Sequence, residues 1–421
     1  MPLILGKEET MARSRLLLFG AVLVLAACAT PETPPPAPAP PVQPAPPAPS
    51  PAPPPVVRVV PFDDAVVSAA DTLFSQVHLA PGERKLLVID PLVDGVSGMQ
   101  SAATVLMGSR IAGMVHTKYP QFELLPLTVS AIERAPVVLV GTFTVINQKN
   151  EVLKEREAYR ICLALADMKT GKILSKGVAR AQLAGVDSTP TVFFRDSPAW
   201  ARDKLVQGYV RTCQATKPGD PIDAVYGERI AAAAITAEAI DLYEGGQYAK
   251  SAALFRQASA TPSGNHLRNL NGWFAASMKV GNTKDATVAT QRLVDYMLAE
   301  RDLNFMFLFA PGTARFISGN LAAPYPIWIR EIARGAEATK ACMHIVGHTT
   351  RTGSEAANER LSLARAQTVA QQLAHQSKPL ADRVVTVGMG SREPIVNSAT
   401  DDLQDAADRR VEFKVVDCPK A

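Results

Sequence analysis

Fifteen of the chain's 33 prolines fall within residues 31–55, mixed mostly with alanine. Such a run has few backbone N–H donors and nothing with which to build a core, so it favours an extended polyproline II path. At ~3.1 Å per residue, about 25 residues reach some 75 to 80 Å. The run divides the 421-residue chain into a short leader and a long remainder that must do all the folding. It reads as a spacer between the folded parts and whatever the leader is attached to.

The first ten residues contain Glu8 and Glu9 and carry no targeting pattern. Met11 restarts the chain as Met-Ala-Arg-Ser-Arg, and residues 16–25 are almost wholly apolar. A basic start, a short apolar core and small residues at the end describe a secretory signal, with Met11 as the expected true start. The core is too short to span a bilayer, which needs about 20 residues. Leu25-Ala26-Ala27-Cys28 resembles a bacterial lipobox. The resemblance implies that Cys28 is lipidated and anchors the mature chain to a membrane. Ala29 and Thr30 follow with no acid directly after the cysteine, which by analogy with enteric bacteria implies the outer membrane, with the protein on its periplasmic face.

Forty-four basic and 40 acidic residues leave a net charge of +4 and no dense basic patch, so nothing points to nucleic acid. Four cysteines remain besides Cys28, an even number that in an exported protein implies disulfides. Pairing within candidate domains is expected, Cys162 with Cys213 and Cys342 with Cys418. Cys342 lies near the start of one expected strand and Cys418 just after another, where a staple across a sheet belongs. The cysteine spacings match no zinc motif, and the six histidines form no His-Glu-x-x-His pair, so no metal is expected. No nucleophile-and-base constellation is legible, and neither an enzyme nor a cofactor is expected.

The fold class read from the pattern is multidomain α+β. Residues 56–216 form the first α+β domain, with helices at 68–77, 97–119 and 201–215 and strands at 84–90, 122–127, 137–146, 158–168 and 173–181. Lys169-Thr170-Gly171-Lys172 reads as the hairpin turn between the last two strands. The segments Val138-Leu139-Val140-Gly141-Thr142-Phe143 and Tyr159-Arg160-Ile161-Cys162 resemble the envelope lipoprotein family that includes CsgG, FlgO and LpoB. That resemblance implies an interaction or assembly module. Residues 222–299 are alanine-rich and helical. Ala239, Leu242, Tyr243, Gly246, Tyr248, Ala252 and Phe255 resemble a tetratricopeptide hairpin, and a second pair turns at Gly281. Two such units cannot bury a core alone and must lean on a neighbour.

In residues 303–418, strands are expected at 303–309, 343–346, 383–388 and 410–416, and helices at 324–338 and 354–376. The order is β-α-β-α-β-β. Gly347-His348-Thr349-Thr350-Arg351-Thr352-Gly353, then Asn358 to Ala366, and finally Arg409-Arg410-Val411-Glu412-Phe413 together resemble the OmpA-like (OmpA/MotB/Pal) peptidoglycan-binding family. The resemblance implies that this quarter of the chain binds the diaminopimelate of peptidoglycan stem peptides, which presents an ammonium beside a carboxylate.

Arg365 matches the family's ligand-binding arginine, whose planar fork suits a carboxylate. Asn358, Ser362 and Arg365 stand at offsets 0, 4 and 7 and share one helix face. The helix start near Ser354 adds free N–H groups and a partial positive charge. Thr350 departs from the pattern: the family carries an aspartate there, and a threonine hydroxyl cannot neutralise an ammonium. Asp408, which precedes Arg409 at a position where many relatives have asparagine, and Glu355 are the candidates to supply the missing charge. The expected function is an outer-membrane lipoprotein that holds peptidoglycan non-covalently and works with envelope protein partners. The alternative is a regulatory or assembly lipoprotein whose C-terminal part only localises it.

Overall fold

The computed structural model describes residues 58–152, 155–199, 202–320, 322–395 and 408–418. The expected signal with Cys28 and the proline-rich spacer lie outside the described residues.

The chain opens with β1 (Val59–Val60), α1 (Phe62–Ser75), β2 (Lys85–Ile89), β3 (Val93–Asp94), α2 (Ala102–Lys118), β4 (Phe122–Leu125) and α3 (Val129–Glu133). Then come β5 (Val137–Ile146), β6 (Ala158–Asp167) and β7 (Lys172–Ala181), followed by α4 (Val192–Asp196) and α5 (Lys204–Gln214). The strands form one sheet in the order β1-β7-β6-β5-β2-β4, with β3 also on β5. The β5-β6-β7 meander is antiparallel, whereas β2 runs parallel to both β4 and β5. One face takes α1 and α2, packing Val66, Phe74, Met107 and Ile111 against Leu139 and Leu163. The other face takes α5, packing Tyr209 against Val138, Val140 and Ala164. Covered on both sides, β5 and β6 read as continuous apolar runs instead of alternating ones.

Cys162 on β6 and Cys213 on α5 meet in that second layer but are free cysteines, which corrects the expected pairing. Their sulfurs are 2.7 Å apart, and each thiol donates to the other residue's carbonyl oxygen, at 2.8 and 2.9 Å.

Two helical hairpins follow, α6 (Ala224–Glu244) with α7 (Tyr248–Ser259) and α8 (Leu267–Lys279) with α9 (Thr283–Ala299). Asp203 locks this layer to the first sheet. One of its oxygens accepts from the N–H groups of Leu205 and Val206 and caps α5. The other accepts from Leu267 N–H at the start of α8.

The last part consists of β8 (Asp302–Leu303), α10 (Tyr325–Ala338), β9 (Cys342–Gly347), α11 (Glu355–Gln376), β10 (Val384–Gly388) and β11 (Val411–Val416). The sheet order is β10-β9-β11-β8. Cys342 and Cys418 form the expected disulfide.

The first strand is shorter than the apolar run 303–309 predicts. Beyond Leu303 the chain leaves β11, because Met306 N–H bonds the Pro198 carbonyl and Phe305 bridges to Ala199. The aromatic residues of that run, Phe305, Phe307 and Phe309, are fully buried and pack between layers instead of lying on a sheet.

The described residues, 58–418, form one compact unit. One apolar cluster runs from Tyr243 and Phe274 in the hairpins through Trp328 and Ile332 on α10 to Phe413 on β11. Gly335 permits this: a Cβ on it would lie 2.4 Å from Val294 on α9, so only hydrogen allows α10 to approach so closely.

Candidate functional site

β9 ends at Gly347 and delivers the loop 348–353 to the start of α11. The Ser354 hydroxyl caps that helix by accepting from Ala357 N–H at 3.3 Å. In the first turn, Asn358 donates its side-chain amide to the Thr352 carbonyl at 3.0 Å and ties the loop to the helix. Thr350 is buried, and its hydroxyl lies 2.8 Å from that of Thr352.

Arg365 sits two turns further along the same helix face and is only 1% exposed. Its Nε donates to Thr313 O at 3.0 Å, Nη1 to His348 O at 3.2 Å and Nη2 to Ala310 O at 3.5 Å. The guanidinium also lies over the Phe309 ring, 5.3 Å from its centroid. A buried cation must be compensated, and backbone carbonyls and a ring face contribute to that here. The arginine therefore also fastens the segment before α10 to the loop after β9.

The other predicted residues surround this pair. Asn358, Ser362 and Arg365 do share the buried face of α11. The Ser362 hydroxyl donates to Glu359 O and accepts from Gly390 N–H at 2.9 Å, so it braces the turn after β10. Asp408 is 1% exposed and accepts from Ile395 N–H at 2.5 Å, and Arg409 beside it is buried. Glu355 is paired with Arg392 at 3.7 Å, on the exposed outer side of the helix start.

The buried network next to the loop was not legible beforehand. Arg410 Nε lies 2.5 Å from Glu412, whose other oxygen is 3.6 Å from His348 Nε2. Burial alone would raise the Glu412 carboxyl, but the His348 contact and the Arg410 charge outweigh it and hold it at about 2. Burial pushes His348 below its ordinary value, against the pull of Glu412, and neither of its ring nitrogens has a hydrogen-bond partner among the described residues. Arg410 stands just before β11 and Glu412 on it, and this two-residue spacing is the signal in the sequence that both point to the same face.

Among the described residues, no cluster of three or more His, Cys, Asp or Glu side chains could hold a metal ion. No described helix is long and apolar enough to cross a membrane.

Residues 308–409 match the model of the OmpA family. Outer membrane protein A of Shimwellia blattae is 37% identical over 79 residues, covering 17% of this chain and 32% of the relative. The same protein of Escherichia fergusonii matches to the same extent. The chain thus spans about a third of the length of the curated relatives it matches.

Among solved structures, the peptidoglycan-associated lipoprotein of Burkholderia pseudomallei is 20% identical, covering 28% of this chain and 92% of that one, with a TM-score of 0.22. The cell wall anchor of the T6SS from Pseudomonas aeruginosa is 23% identical, covering 30% and 95%, with a TM-score of 0.24. The C-terminal domain of Helicobacter pylori MotB is 21% identical, covering 27% and 84%, with a TM-score of 0.22. Over residues 308–409, the chain carries an OmpA-family domain.

Proposed function

We propose that this protein is a lipid-anchored outer-membrane protein that binds peptidoglycan non-covalently through residues 303–418. The ligand is the diaminopimelate of the stem peptide. Its carboxylate meets Arg365 and the amide-rich start of α11, and replaces the longest of the three carbonyl contacts, the one from Ala310.

One observation carries the reading of the ammonium side. β9 and β11 are antiparallel with Gly347 opposite Val411, and the pairing continues where His348 N–H bonds the Arg410 carbonyl. Asp408 lies two residues before Arg410, and Thr350 two residues after His348, so both are a short step along the chain from that contact. In this reading Asp408, buried just before β11, supplies the carboxylate that the family places at position 350. Thr350 adds a hydroxyl, Asn358 holds the loop, Ser362 braces the floor and Arg409 adds a second cation. Glu355, paired on the outer face, has no part in this.

Sedimentation of the full chain with purified sacculi tests the reading. Wild type pellets with the wall, and Arg365→Lys, which keeps the charge but not the fork, pellets at least about tenfold more weakly. Equal pelleting of a folded Arg365→Lys variant would overturn the assignment. Lipidation at Cys28 rests on the Leu-Ala-Ala-Cys sequence and is tested by radiolabelled palmitate incorporation into wild type and Cys28→Ser.

The second reading is an assembly or regulatory lipoprotein that the wall-binding domain only localises, with residues 56–299 engaging an envelope partner. The hairpins share a core with the C-terminal domain, so point variants separate the two readings and deletions do not.

A further inference from the structure

Cys162 and Cys213 take no part in the wall-binding site, yet their sulfurs lie 2.7 Å apart, well inside the ~3.5–4.0 Å at which non-bonded carbon atoms pack. A disulfide needs about 2.05 Å, so an S–S bond asks for only a small further approach. Both residues are buried, at 3% and 0% exposure, on facing elements, β6 and the last turn of α5.

The surroundings are cationic. The Lys176 ammonium on β7 donates to the Cys213 carbonyl, and to the Thr216 carbonyl at 2.5 Å. The Arg160 guanidinium on β6 donates to the Gln214 side-chain oxygen at 2.9 Å. These acceptors are neutral, so both positive charges act on the sulfurs and favour a thiolate. The Cys213 contact and the two cations hold the Cys162 thiol below its ordinary value, against burial. Burial and the Cys162 contact push Cys213 well up. Cys162 is therefore the nucleophile, and Cys213 keeps its proton.

The same turn of α5 holds the start of the hairpins. The Thr212 hydroxyl accepts from Asp223 N–H at 3.3 Å, Arg211 pairs with the Asp223 carboxylate at 2.8 Å, and Asp223 caps α6. Cys213 thus sits at the joint between the first sheet and the helical hairpins.

We propose that Cys162 and Cys213 are a peroxide-reactive dithiol that closes to a disulfide and stiffens this joint. The reagent is a small uncharged hydroperoxide, of which hydrogen peroxide is the simplest. The Cys162 sulfur attacks one peroxide oxygen, the O–O bond breaks, and the departing hydroxide takes the thiol proton and leaves as water. Cys162 is then a sulfenic acid. The Cys213 sulfur attacks the Cys162 sulfur, the S–O bond breaks, and the second hydroxide leaves as water with the Cys213 proton. Two thiols and one hydrogen peroxide become one disulfide and two waters. The sulfurs give up two electrons, which the peroxide oxygens accept. Oxidation stops there because the resolving sulfur is in contact before a second peroxide arrives. The inference does not depend on the wall-binding reading.

The test uses the full chain, reduced with dithiothreitol and freed of it. Hydrogen peroxide is added, remaining thiols are blocked with iodoacetamide in urea, and non-reduced peptides are mapped by mass spectrometry. The expected result is that both thiols disappear together as a Cys162–Cys213 linked peptide forms, and that dithiothreitol without urea restores them. Backbone amides from Leu205 to Tyr226 exchange at least about tenfold more slowly in the oxidised form. In Cys213→Ser, Cys162 stops at the sulfenic acid and is captured by dimedone, whereas in Cys162→Ser no capture occurs at Cys213. Lys176→Gln keeps a donor but removes the charge, and slows the oxidation by about tenfold.

The proposal is overturned if peroxide leaves both thiols in place, or if it makes sulfinic acid instead of the link. A link that dithiothreitol opens only in urea is a fixed structural bond and overturns it too. Equal amide exchange in the two forms removes the stiffening. Dimedone capture of Cys213 in Cys162→Ser, or wild-type oxidation of Lys176→Gln, removes the assigned order of attack.

Discussion

Gly347 lies directly beneath Ser362: a Cβ on Gly347 would come within 1.9 Å of the Ser362 carbonyl oxygen. The end of β9 and the second turn of α11 are in backbone contact, and that contact sets the height of the loop between them. Gly347→Ala is expected to push the helix off the strand, at a cost of about 1–3 kcal/mol. A lowered thermal midpoint, together with weaker sacculus binding, checks this. An unchanged midpoint would mean that the loop is positioned by something else.

The proposal that Asp408 supplies the charge missing at Thr350 makes a paired prediction. Asp408→Asn should weaken sacculus binding by about 10- to 100-fold, the loss of one charge-assisted bond. Thr350→Asp in the Asp408→Asn background should restore it. If Thr350→Asp rescues nothing, the two positions do not serve the same ammonium.

Burial raises the Asp90 carboxyl from 3.8 to about 6, against the opposing Tyr226 hydrogen bond and Arg268 charge. An acid whose pKa is higher folded than unfolded holds its proton better in the native state. This group's contribution to stability therefore declines as pH rises from about 4 through about 6, by up to ~3 kcal/mol. Asp90→Asn should remove that decline and unfold at higher urea than wild type at pH above about 7. Urea midpoints on both sides of this window decide it, and a variant that tracks wild type at both would refute the assignment.

Asp203 caps α5 and α8 with its two oxygens, so Asp203→Ala removes two caps in one step. Each cap is worth about 1 kcal/mol, and a loss of about 2 kcal/mol is expected by urea denaturation. Asp203→Asn keeps an acceptor for one helix start only and should fall between.

The Cys342–Cys418 disulfide closes a separation of 76 residues. Chain entropy assigns such a loop about 4 kcal/mol. Reductant should lower the urea midpoint of wild type and leave that of Cys342→Ser/Cys418→Ser unchanged. An unshifted wild-type midpoint would show that the sheet is stapled by packing alone.

Much of this was readable in advance, because local patterns carry local structure. The apolar runs of β5, β6 and β9, the start of α11 near Ser354 and the Gly171 turn involve residues a few positions apart, and each was placed to within a few residues. The motif from Gly347 to Ala366 was legible for the same reason, since one loop and one helix supply most of the site. The short β8 was not legible. Its apolar composition was satisfied by three aromatic residues buried between layers, a choice that depends on Pro198 and Ala199 a hundred residues earlier.

The sequence by itself determined the element order, the C-terminal family domain, the face of α11 shared by Asn358, Ser362 and Arg365, and one of two disulfides. Only the tertiary structure decided that Cys162 and Cys213 meet without a disulfide between them, and that the hairpins and the last sheet share one core. Those outcomes depend on distances between segments remote in the chain. Such distances follow from how layers pack, and periodicity along one segment carries no record of them.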